Sequence, residues 1–114
     1  QALGMSLEGF KAVVYYERQD FMLVAADAIG NHISQLERIS HGEFKCPIII
    51  RAVTADAGPF YSGITHSQDF TEVFRRAVSF PVLDPVNGAG VTSCLLAARR
   101  SGKPCMIIER KSRY

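Results

Sequence analysis

Apolar residues in this chain fall into two rhythms. Ala12-Val13-Val14-Tyr15-Tyr16 is β-branched and aromatic with no polar alternation, the pattern of a strand covered on both faces. Cys46-Pro47-Ile48-Ile49-Ile50-Arg51 reads as a second strand, with proline at its start where the missing N–H is tolerated. Pro81-Val82-Leu83-Asp84 and residues 105 to 109 predict a third and a fourth. Between the first two, Phe21, Val24, Ala25, Ala28, Ile29, Ile33 and Leu36 recur at helical spacing, predicting one amphipathic helix from 20 to about 39 with Asp20 as its N-cap. Shorter helices are predicted over 2 to 10, with Leu3 and Leu7 on one face and Gly4 and Gly9 allowing close backbone approach, and over 69 to 77. The last helix, 88 to 100, should bury Val91, Leu95 and Leu96.

Buried strands alternating with helices predict an α/β fold, a mostly parallel sheet with helices on both faces and right-handed crossovers. At 114 residues, 47% of them hydrophobic, the chain can fill one core, so residues 1–114 are expected to form one domain. Residues 53 to 68 follow neither rhythm and contain Thr54, Asp56, Gly58, Pro59, Ser62, Gly63 and Thr65. Long irregular loops in compact domains tend to be functional or disordered, which makes this one the best site candidate. This one leaves the carboxyl end of the second strand, where parallel sheets bind ligands.

Charge narrows the partners. Thirteen Lys and Arg against eleven Asp and Glu give a formal charge of +2, and the basic residues are scattered or in pairs such as Arg75-Arg76 and Arg99-Arg100. Nucleic-acid binders carry a clustered basic stripe, so no nucleic acid is expected and the pairs read as solvated helix faces. No apolar run approaches the roughly 18 residues that span a bilayer, so no membrane is expected either. Cys46, Cys94 and Cys105 sit among apolar neighbours without a CxxC spacing, as buried thiols of a reducing compartment do. Neither they nor His32, His41 and His66 are close enough in sequence for a metal site, and none is expected. The start at Gln1 shows no secretory signal and no initiator Met, so a processed or excised chain is expected.

The best chemical candidate is His66, within Gly63-Ile64-Thr65-His66-Ser67-Gln68. An imidazole at a loop-to-helix junction, flanked by hydroxyls and an amide, donates or accepts protons near neutral pH. A helix N-terminus beside it would favour the neutral ring. The same residues also suit an ordinary capping turn.

Several segments taken together carry more. Gly4 and Gly9, Asp20-Phe21, Ser40-His41-Gly42-Glu43-Phe44-Lys45-Cys46-Pro47-Ile48-Ile49-Ile50-Arg51, His66-Ser67-Gln68 and Pro104-Cys105-Met106-Ile107-Ile108-Glu109 run in order along nearly the whole chain. The series resembles the β subunit of thiamine diphosphate-dependent 2-oxo acid dehydrogenases, of pyruvate and branched-chain type. The resemblance implies a transketolase-like domain, here incomplete, that binds the aminopyrimidine of thiamine diphosphate. It also implies a 2-oxo acid substrate, an α-type subunit holding the diphosphate and magnesium, a second β-type subunit, and a cytoplasmic or mitochondrial-matrix location. Phe21 matches the aromatic residue that stacks on the pyrimidine, and His66 the histidine that assists proton transfer. Glu17 stands beside the cofactor where the family usually has Gln or Met, and its carboxylate needs water or a partner there.

The family's catalytic glutamate falls just upstream of Gln1, so the chain alone is expected to be inactive. The family's potassium loop corresponds to residues 98 to 104, where three cations disfavour a bound monovalent cation. An alternative is a non-catalytic remnant of the domain, serving partner binding or dimerisation. A third possibility, a flavodoxin-like nucleotide binder, has only Asn87-Gly88-Ala89-Gly90 as a phosphate loop.

Overall fold

The computed structural model describes residues 1–56 and 61–114. Gly58 and Pro59 of the predicted loop lie outside them. Four strands, β1 (Val13–Tyr16), β2 (Ile49–Thr54), β3 (Val82–Leu83) and β4 (Cys105–Arg110), form one sheet in the order β1-β2-β4-β3. Every pairing is parallel, with Tyr15 beside Arg51, Arg51 beside Ile107 and Leu83 beside Ile107. Parallel neighbours need crossovers, and helical segments supply them: α1 (Ala2–Leu7) precedes the sheet, α2 (Leu36–Ile39) precedes β2, α3 (Thr71–Ala77) precedes β3, and α4 (Gly88–Ser101) joins β3 to β4. The predicted α/β class and parallel sheet are borne out.

Side chains alternate across a strand, so each strand can feed two cores. Ile50 and Ala52 of β2, Val82 of β3, and Met106 and Ile108 of β4 pack with Met22, Ile29, Ile33 and Phe74. Ile49, Cys105 and Ile107 point the other way and pack with Val91 and Ala98 of α4. Helices therefore cover both faces at the centre of the sheet. Cys46 and Cys105 are buried thiols, and burial pushes the Cys105 thiol up to about 11.

Strand β1 departs from expectation. It is an edge strand, and Val13 and Tyr15 are each 55% exposed, so it is covered on one face only. The cause is where α4 lies: it packs on β4 and β2. Apolar composition marks a strand but leaves open which of its faces finds a cover.

The single helix predicted from 20 to 39 is also corrected. It is a composite of a 3₁₀ stretch (Gln19–Ala25), a π-helical stretch (Ala28–Ile33) and α2. Tighter and wider turns rotate side chains away from a 3.6-residue ruler. Met22 is fully buried, whereas Val24, assigned to the apolar face, is 94% exposed and Phe21 is 47% exposed. Asp20 makes no side-chain cap, and its Oδ1 accepts from the Gln68 N–H at 3.3 Å.

Smaller corrections follow the same logic. In α4, Leu96 is 50% exposed and Ala98 takes its place inside, while Asn87 caps the helix by accepting from the Gly90 N–H at 2.8 Å. No neighbour comes within 4 Å of a Cβ placed at Gly4 or Gly9, so neither serves close approach. Gly9, in the turn after α1, stands at φ +89°, a conformation that glycine adopts without strain.

Candidate functional site

Parallel strands deliver their following residues to one rim of the sheet, and the chemistry-bearing side chains collect there. After β1 come Glu17, Arg18, Gln19, Asp20 and Phe21. His66 ends a short 3₁₀ turn (Ile64–His66) opened by Gly63 at φ 95°. The Phe21 and His66 rings, distant in sequence, meet edge to face with centroids 5.6 Å apart at 89°. That is a favourable geometry for two π-systems.

Buried amide chemistry holds the two segments together. Gln19 is 0% exposed; its Nε2 donates to Thr71 Oγ1 at 3.1 Å, and its Oε1 accepts from the Phe70 N–H at 2.6 Å and from Thr54 Oγ1 at 3.5 Å. The side chain is satisfied at both ends, as a buried polar group must be. With the Asp20–Gln68 bond next to it, the turn carrying Phe21 is stitched to the chain that follows His66.

Local bonds set the imidazole. Thr65 Oγ1 lies 2.8 Å from His66 Nδ1, which leaves Nε2 as the ring nitrogen facing away from that bond. Ser67 Oγ accepts from the Ser62 N–H at 3.0 Å and closes the turn, while Arg18 Nη1 donates to Ser62 Oγ at 2.6 Å. The expected helix N-terminus beside His66 is not found, because α3 begins only at Thr71. Macrodipole effects fade within the first turn. Glu17 is exposed, and its carboxylate makes no hydrogen bond or ion pair among the described residues.

A charged network on the same rim was missed by sequence reading. Arg110, directly after the buried run of β4, pairs with Asp84 at 2.9 Å through Nη2 and with Asp69 at 2.7 Å through Nη1; Asp56 lies 3.9 Å away. Arg113 donates to Asp84 at 2.5 Å, and Ser112 binds Asp56 through both its N–H and its hydroxyl. Burial alone would raise Asp69 and Asp56, but hydrogen bonds from Thr71 and Arg110 to the first, and from Ser112 with the charge of Arg110 to the second, hold both below the usual carboxylate range. The available signal was an acidic residue after each of β2 and β3 and an arginine at the end of β4. The Arg75-Arg76 pair behaves as expected, with Arg75 bonded to Glu72 on an exposed helix face.

Two hollows among the described residues lie elsewhere. A groove of about 630 Å³ runs between α1, β1 and the π-helical stretch, lined by Leu3, Val14, Tyr16, Ile29 and Ile33 among others, and neither Phe21 nor His66 touches it. Phe21 and His66 stand on an open rim. The rim offers one wall: a half-exposed aromatic ring, an imidazole edge to face with it, and four residues before the aromatic a carboxylate with no partner among the described residues.

No known family profile matches the chain. Curated relatives do. The chain is 28% identical over 113 residues to the mitochondrial pyruvate dehydrogenase E1 component subunit beta of Saccharomyces cerevisiae, covering 99% of this chain and 30% of the relative. Against the same subunit of Rickettsia felis it is 26% identical over 113 residues, covering 99% of this chain and 34% of the relative. The chloroplastic subunit beta-4 of Oryza sativa subsp. japonica is 29% identical over 115 residues, covering 98% of this chain and 28% of the relative. The chain thus spans about a third of the length of the curated relatives it matches. The resemblance to 2-oxo acid dehydrogenase β subunits holds along nearly its whole length. No helix among the described residues is long and apolar enough to cross a membrane.

Proposed function

We propose that this chain is a β-subunit-type part of the decarboxylating component of a 2-oxo acid dehydrogenase, one transketolase-like domain whose rim holds the aminopyrimidine of thiamine diphosphate. The observation that carries this is the meeting of Phe21 and His66 at the carboxyl ends of the strands. These are the two residues that the resemblance pairs with the cofactor, and 45 positions separate them in sequence.

Each side chain has a task that its surroundings permit. The exposed part of the Phe21 ring offers a flat apolar platform, held by the buried Gln19 two residues before it. His66, with Nδ1 occupied by Thr65, holds or passes a proton at Nε2. Glu17 is exposed, so water satisfies its carboxylate without the cost of desolvation. When bound, thiamine diphosphate supplies the electron sink for carbanion chemistry at the carbonyl carbon of a 2-oxo acid. An α-type subunit would close the opposite wall and hold the diphosphate and magnesium, with a second β-type copy completing the assembly.

The test is titration of thiamine diphosphate with magnesium, by calorimetry, into the chain mixed with an E1 α-type subunit. Saturable binding is expected, weakened roughly tenfold or more by Phe21→Ala, since one aromatic contact is worth about 0.5–1.5 kcal/mol beyond the area it buries. No binding, or equal binding by Phe21→Ala, would overturn the proposal.

A second reading is the non-catalytic remnant that serves partner binding or dimerisation. The half-bare edge strand β1 favours it, with Phe10, Val13 and Tyr15 exposed in a short stretch. Formation of a stable assembly with the same partner in which cofactor neither binds nor matters would select it.

A further inference from the structure

The segment carrying His66 is bounded in sequence by two aspartates, Asp56 and Asp69, and one guanidinium reaches both. Arg110 Nη1 lies 2.7 Å from Asp69 Oδ2 and 3.9 Å from Asp56 Oδ2. Its Nε and Nη2 grip Asp84, at the end of β3, with contacts of 3.0 and 2.9 Å. Arg110 itself is the last residue of β4, and its side chain is only 15% exposed. A planar fork with five donors can serve three carboxylates at once; a lysine ammonium cannot hold that arrangement.

Each aspartate is also tied to something other than the arginine. Asp69 Oδ1 accepts from the Thr71 N–H at 2.9 Å, which fixes the entry to α3. Asp56 accepts from Ser112 through both carboxylate oxygens. Asp84 is shared with Arg113, which also donates to the Pro85 carbonyl at 2.7 Å. The sheet end and both flanks of the His66 segment therefore converge on one side chain of a central strand.

We propose that Arg110 is a positioning residue of this rim: by pairing with Asp69 from the end of β4, with Asp56 at longer range, it helps hold the His66 imidazole against Phe21. It acts through the loop flanks and touches neither ring. The Gln19 and Asp20 bonds fix the side that follows His66, at Phe70 and Gln68, and Arg18 bonds Ser62 on the side that precedes it. Arg110 adds a charged tie to Asp69 and a longer one to Asp56, which Ser112 also holds. Its functional meaning rests on the proposed role of His66; the positioning itself does not.

Asp69→Asn is the decisive variant, because the amide oxygen can still accept from Thr71 while the charged arm to Arg110 is lost. Two readouts apply to the full chain: nuclear Overhauser cross-peaks between the Phe21 and His66 ring protons, and the rate of limited proteolysis between residues 56 and 69. Loss of a charge-assisted bond should weaken the cross-peaks and speed cleavage roughly fivefold to tenfold, since cleavage follows the population of the open loop. The melting temperature should move by only about 3 °C or less. Arg110→Lys should fall between the wild type and Arg110→Met in both readouts. If Arg110→Met does not fold, the other two variants decide. Wild-type cross-peaks and wild-type cleavage in both Asp69→Asn and Arg110→Lys would overturn the proposal. Neither readout uses thiamine diphosphate or a partner. Loss of the ring contact in a chain that binds no cofactor would uphold the positioning role and defeat only the proposed function.

Discussion

Strand β4 pairs with β2 on one side and β3 on the other, and Met106, Ile107 and Ile108 are each 0% exposed; β1 pairs with β2 alone, and Val13 and Tyr15 are each 55% exposed. In sequence the two are near equivalents, short apolar runs without polar alternation. What separates them is supplied by other segments. The helix α4 packs over β4 and β2, and Arg51, Glu109 and Tyr114 form the polar border where that cover ends. An apolar run thus identifies a strand, while its place in the sheet decides whether one or both faces are buried.

The comparison breaks most visibly by truncating each strand in turn. Ile107→Ala removes a fully buried side chain from the α4 side and should cost about 3–4 kcal/mol. Tyr15→Ser, on the same face of the sheet but at its edge, should cost about 1 kcal/mol or less. Paired urea melts check both, and equal losses would mean that β1 is as well covered as β4.

The polar border gives the next largest effect. Glu109 is 6% exposed; Arg51 reaches it at 2.5 and 2.9 Å, and the Tyr114 hydroxyl donates to it at 2.9 Å. Burial raises the Glu109 carboxyl, but these bonds and the Arg51 charge outweigh it and hold the group below its ordinary value of 4.5. A depressed folded-state value contributes stability that is present above the unfolded value and is lost as pH falls through the folded one. Arg51→Met leaves burial dominant, so the sign reverses: Glu109 then costs stability at neutral pH and recovers it on protonation. We expect a loss of about 1–2 kcal/mol at pH 7, discounted because Arg51 is one-third exposed, shrinking as pH falls below about 5. Urea melts at pH 7 and pH 4 check it; a loss that grows on acidification would contradict the assignment.

Legibility follows the same division. Ile49, Ile50 and Met106 to Ile108 were readable as strand residues because their composition suits burial and their neighbours provide it. Met22 and Val24 were not, because a 3₁₀ stretch followed by a π-helical stretch rotates the buried face away from the 3.6-residue period. At the rim, Phe21 and His66 were marked by the motif series, and the structure brings them together. Glu17 was marked too but stands apart without a partner among the described residues. Arg110 left no local pattern, since Asp56, Asp69 and Asp84 come from three separate segments and meet only when the sheet forms.

The bare edge sharpens the comparison in solution. An open strand edge with exposed apolar side chains favours association, and Lys11, bonded to the Arg99 carbonyl at 3.2 Å, guards only its start. Val13→Thr combined with Tyr15→Lys should leave the unfolding free energy within about 1 kcal/mol of wild type while shifting the chain toward monomer. Sedimentation velocity across micromolar concentrations reads it. Wild-type chain that is already monomeric throughout would remove the premise.

The smallest effect on stability belongs to the rim itself. His66 is half-buried on an irregular segment, it touches Phe21 edge to face, and its ring bond is to the adjacent Thr65. Truncating it opens no core cavity and strands no buried partner, because Thr65 is exposed and can bond to water. His66→Ala should therefore change stability by less than about 0.5 kcal/mol. A fully buried ring would make Phe21→Ala cost about 3 kcal/mol, but at 47% exposure a loss near 1 kcal/mol is expected instead. Both substitutions should nevertheless weaken thiamine diphosphate binding by the chain assembled with an α-type subunit, Phe21→Ala more than His66→Ala, because the platform contributes area and the imidazole contributes a proton. Urea melts and calorimetric titration on the same preparations separate stability from binding. A His66→Ala chain that unfolds, or that loses no function in an assembly that does turn over, would make the histidine a turn residue.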